Sequence, residues 1–460
     1  MATYTGTDVL WKGEPLKAIF HFGNNNDYTV YTDKQYDASG NIINKVSFRL
    51  SESNTAVNPM GICSSNSMSI EIFDKDDALS PANVDSYLYG LVVNGVEIEM
   101  FISFDSTTWT PYGKYYITNV SGNYSEGYHG FVNIQANDFV NTLGNFDTPE
   151  IQAYQGMYAS ELIGAVMEGV GLTSNDYYVD PRIDEQLTYG ITVGNKVRDF
   201  INSICQLLLA RCLIDRNGKV IFVPALDTYE DANEFDIGED YTGTFVNQNT
   251  NNIDYNKLRV RYLISGGADD RDEIFNVNRP LSLGNNSIND IQFNRKALSI
   301  EQIKCYFRKG VSTADISNVS YSSFQNGIQL SINVTGEAID SCNIIGIGIP
   351  ISTTDAYYDL DIGNTSIIGG RTFEYNTQQI MDAAKAQSIA TNLRQYLVAI
   401  SRNINMNGCA ISPKLYVGDK VVIDSDTMYD GTYKVTSMDI SFGEDYSMNM
   451  TLIRVEEEAQ

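Results

Sequence analysis

Residues 113–134 read GKYYITNVSGNYSEGYHGFVNI, and residues 431–452 read GTYKVTSMDISFGEDYSMNMTL. Aligned without a gap, Gly113 falls on Gly431, Tyr115 on Tyr433 and Thr118 on Thr436, while Glu126 and Tyr128 fall on Glu444 and Tyr446. Ile117, Val120, Tyr124, Val132 and Ile134 meet Val435, Met438, Phe442, Met450 and Leu452, so buried-type positions keep their class. Apolar and polar residues alternate on both sides of a polar turn, which predicts a long β-hairpin in each stretch. Hairpins are stereotyped, but the equal loop length and the shared Glu-x-Tyr read as duplication within one chain. Three chains that each carry two similar β-units can form a ring of six quasi-equivalent parts, able to stack on a sixfold ring.

Around these stretches, residues 1–148 read as all-β. Met68, Ile70 and Ile72 alternate with polar neighbours, as do Val96, Ile98 and Met100, and Phe131, Val132 and Ile134 follow. Asp74 to Ser86 reads as a loop, and Asp147-Thr148-Pro149 as a boundary. Residues 150–235 change character to a small α+β unit. Ser160 is placed to cap a helix from Glu161 to Glu168, with Leu162, Ile163, Val166 and Met167 on one side. A second helix starts near Asn195, with Val197, Phe200, Ile201, Ile204 and Leu208 at helical spacing; Cys205 and Cys212 share one face of the same apolar run. Asn217-Gly218, between Leu213-Ile214 and Val220 to Val223, signals a hairpin. The polar stretch from Asp227 to Asn252 reads as a linker. Residues 236–375 hold this linker and a β-rich domain, in which Leu258, Val260 and Tyr262, then Ile328, Leu330, Ile332 and Val334, alternate. A sandwich-like insertion is expected near 310–370. Residues 376–460 hold a helix from Thr377 to about Ser401, with Ile380, Ala383, Ala384, Ile389, Ala390, Leu393 and Leu397 as its buried stripe, and then the second β-unit. The expected fold is mainly β with α+β parts: two related tube-like β-barrel domains, a small α+β domain and a β-sandwich-like insertion.

The chain has 460 residues, 31 basic against 58 acidic, and a formal net charge of −27. Such a surface repels phosphate, and no cluster of Lys and Arg offers a grip; Arg259 and Arg261 merely alternate along a strand. DNA that slides past without sticking is compatible with this charge; DNA that is gripped is not. Thirty Tyr, 19 Phe and 36 Gly against 10 Pro favour strands and tight turns. The six cysteines are scattered without a CxxC pair, which reads as reduced thiols. No stretch is long and apolar enough for a membrane span, and no basic-then-apolar leader opens the chain, so assembly in a cytoplasm without membrane insertion is expected.

The ending resembles that of the baseplate hub proteins of tailed phages and related contractile injection systems. The resemblance rests on a helix rich in Ala and Leu (Ala383 to Leu397), then Tyr416-Val417-Gly418-Asp419-Lys420-Val421, then Asp-Gly-x-Tyr-x-Val from Asp430 to Val435, then a last strand closing on Leu452-Ile453-Arg454. The middle unit is similar to that family's second domain in its two helices and its hairpin Leu-Ile-Asp-Arg-Asn-Gly-Lys-Val. The likeness covers about residues 60–260 and 375–456, and the order of units carries it rather than any single motif. It implies a trimeric hub with two tube-like domains per subunit, located in the virion tail. The implied partners are a distal tail or tail tube protein, a tape measure protein, a separate tip spike or fibre protein, and passing DNA. Many relatives carry a long C-terminal extension, whereas this chain stops soon after its last strand at Glu456 to Gln460, so any spike, lysin or fibre is expected on another polypeptide. Residues 265–375 have no counterpart in the resemblance.

No enzymatic constellation emerges, and no catalytic, cofactor or metal residue is assigned. His21 and His129 lack metal or nucleophile companions at useful spacing. Asp269 to Glu273 and Asp424-Ser425-Asp426 offer carboxylates for weak Ca²⁺ binding, but the first lacks the spaced ligands and turn glycine of an EF-hand, and both read by default as solvated loops. Gly266-Gly267 and Gly369-Gly370 match no phosphate-binding loop. Two other functions compete with the hub. One is a receptor- or glycan-binding tail tip protein using its tyrosines. The other is a cell-wall hydrolase, disfavoured by the missing catalytic set.

Overall fold

The computed structural model describes residues 3–5, 17–23, 26–31, 35–36, 42–44, 46–53, 65–74, 77–80, 82–103, 109–125, 128–151, 154–190, 196–225, 232–237, 244–247, 255–265, 271–308, 313–324, 326–362, 371–400, 403–409, 414–424, 429–442 and 447–455. Six strands come first: β1 (Thr3–Thr5), β2 (Lys17–Phe22), β3 (Asn26–Tyr31), β4 (Gln35–Tyr36), β5 (Ile42–Asn44) and β6 (Val46–Ser53). β7 (Ser67–Asp74), β8 (Glu97–Ser103), β9 (Thr110–Ser125) and β10 (Tyr128–Asn137) follow. β8, β9 and β10 form an antiparallel meander, and β7 joins it through β10. The strand period of two puts Met68, Ile70, Ile72, Ile98, Met100, Val132 and Ile134 into one core. Residues 1–148 are not all strand, because α1 (Phe139–Leu143) begins straight after β10, capped by the Asp138 carboxylate on the Val140 N–H at 3.2 Å.

The next unit holds β11 (Tyr154–Gln155), α2 (Ala159–Gly169), β12 (Tyr177–Val179), β13 (Tyr189–Gly190), α3 (Val197–Leu208), β14 (Ala210–Ile214) and β15 (Val220–Pro224). α2 starts two residues before the expected Glu161, and Ser160 lies inside it. The free N–H groups of its first turn are met from elsewhere: Glu161 accepts from the Tyr158 N–H at 3.0 Å, and Asp184 from the Ser160 N–H at 2.9 Å. Asn195 lies outside the described residues, and α3 begins after Lys196. α3 ends on Leu209 in the left-handed region at φ 51°, which turns the chain directly into β14. Cys205 and Cys212 are therefore both buried, one on the helix and the other on the strand, rather than on one helical face. The Asn217-Gly218 hairpin forms as expected. Gly218 sits at φ +85°, after an i to i+3 turn in which its N–H donates to the Asp215 carbonyl at 3.0 Å.

The polar stretch read as a linker contributes two short strands, β16 (Glu234–Asp236) and β17 (Thr244–Asn247). After β18 (Tyr255–Ser265) come six strands: β19 (Asp272–Leu281), β20 (Gly284–Gln292), β21 (Ala297–Phe307), β22 (Asp315–Ser323), β23 (Gly327–Thr335) and β24 (Ile339–Pro350). They form two three-stranded sheets, β19-β24-β21 and β20-β23-β22, around a separate apolar core of Ile274, Phe275, Leu330, Ile332, Val334 and Ile344 among others. The sandwich thus runs from 272 to 350, earlier than the expected 310–370. β25 (Thr353–Asp361) and β26 (Arg371–Ile380) instead flank β18. α4 (Ala383–Ile400) begins after Asp382, whose carboxylate accepts the Lys385 N–H at 2.7 Å. Thr377 to Ile380 is thus strand rather than helix. The buried stripe of α4 is Ala386, Ile389, Ala390, Leu393 and Leu397, with Ala383 and Ala384 exposed. This stripe shares one core with α2, α3 and the face of β18.

β27 (Asn403–Cys409), β28 (Lys420–Ile423), β29 (Gly431–Phe442) and β30 (Ser447–Arg454) complete the chain. Among the described residues, fourteen strands join into one sheet in the order β1-β16-β28-β29-β6-β7-β10-β9-β8-β2-β3, with β30 beside β29, β27 beside β30 and β17 beside β27.

Candidate functional site

The ladder registers identify two copies of one strand module in this sheet. The first copy runs β6, β7, β8, β9, β10 in chain order and the second runs β17, β27, β28, β29, β30; corresponding strands make corresponding antiparallel pairs. In space each copy reads first strand, second, fifth, fourth, third. Gly113 and Gly431 sit at the same point of the module, with φ +147° and +143°. Only glycine takes this backbone conformation freely. Two residues on, Tyr115 and Tyr433 are both buried. Thr118 and Thr436 are each the extra residue of a β-bulge, the ladder stepping from Ile117 to Asn119 in one copy and from Val435 to Ser437 in the other. Each hydroxyl donates across the bulge to a carbonyl of the next strand, Thr118 to Gln135 at 3.1 Å and Thr436 to Thr451 at 3.0 Å. Bulge, glycine and hydroxyl agree atom for atom.

The gapless alignment holds along β9 and β29 and slips by two residues on the returning strand. Val120 pairs with Ile134, and its counterpart Met438 pairs with Met450, so Ile134 answers to Met450, Val132 to Met448 and Ala136 to Leu452. The connection in the second copy is two residues shorter. A slip of two leaves every side chain on its own face, so class-matching could not detect it. Glu126, Glu444 and Tyr446 lie outside the described residues.

The copies are joined edge to edge. β29 pairs with β28 over its first half, and over its second half with β6 of the first copy, from Ser437↔Ser53 to Phe442↔Phe48. β1 lies parallel to β16 at the outer edge of the second copy, where the first copy carries the antiparallel β2 and β3.

The β14–β15 hairpin fastens the two copies from one side. The Arg216 guanidinium lies 4.3 Å over the Tyr112 ring of the first copy and 5.7 Å from the Tyr416 ring of the second, and donates to the Leu415 carbonyl at 2.6 Å. Lys434, buried on β29, donates to the Ala225 carbonyl at 2.9 Å. The Gly418-Asp419 turn is fixed by the Asp419 carboxylate, which accepts the Tyr416 N–H at 3.0 Å and the Asn233 N–H at 2.9 Å. Burial pushes this carboxyl up to about 7, against the backbone donors and Arg216 that pull it down. Burial likewise lifts Asp138 to about 6, against the donors of Asn66, Ser65 and Val140. Both carboxylates hold loop backbone in place, and neither signals itself in sequence beyond standing in a polar turn.

Among the described residues, no group of three or more His, Cys, Asp or Glu is arranged to hold a metal, and no helix is long and apolar enough to cross a membrane. His21 lies on β2 and His129 on β10, apart from each other in the sheet order. Asp272 pairs with Arg295 at 2.8 Å. Asp269, Asp270, Asp426 and both Gly-Gly pairs lie outside the described residues. Arg259 and Arg261 are taken up in ion pairs with Asp359 and Asp355, each at 2.8 Å.

The chain matches no protein-family model and no curated protein in sequence. Its fold is that of solved phage tail proteins. The 43 kDa tail protein of prophage MuSo2 from Shewanella oneidensis aligns with a TM-score of 0.52 over 95% of this chain and 98% of that one, at 10% identity. A tail protein from Neisseria meningitidis aligns with a TM-score of 0.51 over 95% of this chain and 96% of that one, at 8% identity.

Proposed function

We propose that this chain is a non-enzymatic structural subunit of a bacteriophage tail hub. Three chains would form a pseudo-sixfold ring between the sixfold tail tube or distal tail ring and a threefold tip. The observation that carries this reading is the pair of equivalent strand modules in one continuous sheet, sharing a bulge and a glycine at the same positions. A trimer of such chains offers six similar modules to a sixfold neighbour while keeping threefold symmetry below. The fold shared with tail proteins supports the reading. The net charge of −27 suits a ring whose lumen passes DNA, since acids facing the channel repel phosphate and prevent sticking. Expected neighbours are the tail tube or distal tail protein above, the tape measure protein, and a spike or fibre below.

Solution mass and single-particle images of the purified protein test the proposal. A stable particle of three chains with a six-lobed ring is expected, with subunit contacts above about 2,000 Å². A monomer that binds cell-wall glycan would transfer the function to receptor binding, and turnover of peptidoglycan would make the protein a hydrolase.

A further inference from the structure

We infer that the ring closes by backbone pairing between β17 of one chain and the second half of β9 of the next, in a register the molecule already displays internally. The inference rests on the ring-forming reading above and names the edges that make the contact.

Inside the chain the second half of β29 is covered by β6, the first strand of the first copy. Its counterpart in the first copy is the second half of β9, from Asn119 to Tyr124. Among the described residues no strand pairs with this stretch on that edge, since β8 reaches only as far as Tyr116. The difference in cover is plain. Thr436, Met438 and Ile440 are buried beneath their neighbours, whereas Thr118, Asn119, Ser121 and Gly122 are exposed. The strand equivalent to β6 is β17, the first of the second copy, and among the described residues it pairs only with β27. One chain therefore offers both halves of a junction it makes once within itself. An unpaired strand edge is a template for another strand, and a junction with different halves on each chain propagates until a ring closes.

The register follows from the ladders. Ile70 opposes Phe48, and its counterpart Met406 opposes Phe245, so Phe48 answers to Phe245, Arg49 to Val246 and Leu50 to Asn247. The internal pairs Phe442↔Phe48, Ser441↔Arg49 and Ile440↔Leu50 then translate into Tyr124 opposite Phe245, Asn123 opposite Val246 and Gly122 opposite Asn247 of the next chain. The outermost pair of this register is aromatic on both strands, Tyr124 and Phe245, as Phe442 and Phe48 are in the internal junction.

Cysteine pairs test this directly in the whole 460-residue chain. Directly opposed residues of antiparallel strands stand about 4.5–5.5 Å apart at Cα, within disulfide reach, whereas a diagonal pair about 7–8 Å apart is not. Asn123→Cys with Val246→Cys in one chain is expected to give a ladder of disulfide-linked dimer and trimer on mild oxidation. Asn123→Cys with Thr244→Cys, and either single variant, are expected to give at least tenfold less. Mass measured before oxidation checks that each variant still assembles. Hydrogen exchange on the unaltered protein adds a readout free of mutation, with amides of 119–124 and 244–247 slowing as the particle forms. A trimer that cross-links only at the diagonal pair, or at neither, overturns the edge pairing while leaving the trimeric hub standing. A matched cross-link in a particle of another size supports the pairing and overturns the trimer. A monomer at every concentration overturns both.

Discussion

Gly113 and Gly431 share a backbone conformation but not a neighbourhood. A methyl group on Gly113 would lie 2.3 Å from the buried Tyr115 ring, whereas one on Gly431 would meet the mobile end of Arg454 at 3.1 Å. Gly113→Ala is therefore expected to cost about 2–4 kcal/mol and Gly431→Ala about 1–2 kcal/mol, read from denaturant midpoints. Equal costs would mean that backbone strain alone decides. Asp419 makes a second prediction. Its folded value near 7 lies above the ordinary carboxylate value of about 4, so between those limits the folded chain holds a proton that the unfolded chain releases. The contribution of this group to stability is greatest at low pH, declines as pH rises from about 4 to 7, and is flat above. Unfolding free energy is expected to fall by on the order of 2 kcal/mol between pH 5 and pH 8, and Asp419→Asn to flatten that slope. Asp138 acts in the same direction with a smaller span. An unchanged slope in the variant would assign the pH dependence to other groups.

Among elements, the β14–β15 hairpin and the sandwich play opposite parts. Arg216 bridges both copies through two rings and a carbonyl, so Arg216→Ala is expected to cost about 1–3 kcal/mol and to speed amide exchange around Leu415 and Tyr416. The Lys variant should recover only part of the loss, because an ammonium lacks the planar face that stacks. The sandwich leaves from the end of β18 and returns at the start of β25, where Ser265 and Thr353 are directly paired. Replacing 266–352 with an Asn-Gly turn should therefore leave the rest of the chain folded, with an unchanged number of chains per particle and all four described helices retained by circular dichroism. Collapse of the whole chain would show that the contact of Leu298 and Ile351 with Tyr189 and Ile380 matters more than this geometry allows. The long alternating strands were legible in the sequence because each displays a buried face by itself. β16 and β17 were not, since three or four residues in a polar stretch carry no period, and their partners lie far along the chain. Thr377 to Ile380 read as helix because Ile380 falls at helical spacing from Ala383 and Ala384; pairing with β18 overrides that local signal. The duplication itself was legible, while the two-residue slip within it was hidden by the strand period.

At the scale of the whole molecule, the second copy is an interrupted one. Its first strand ends at Asn247 and its second begins at Asn403, with β18 to β26 and α4 between them. Synthesis adds about 5–20 residues each second, so β17 waits on the order of 10–30 s for β27 to emerge and hold it. The first copy has no such delay, since its five strands follow one another from Val46 to Asn137. A nascent chain thus carries a finished first half while the strand that would seal it against a sister chain still lacks its scaffold. On the pairing inferred above, timing on the ribosome, and not only affinity, would then keep a nascent chain from reaching a sister chain through its own β17 before β27 is made.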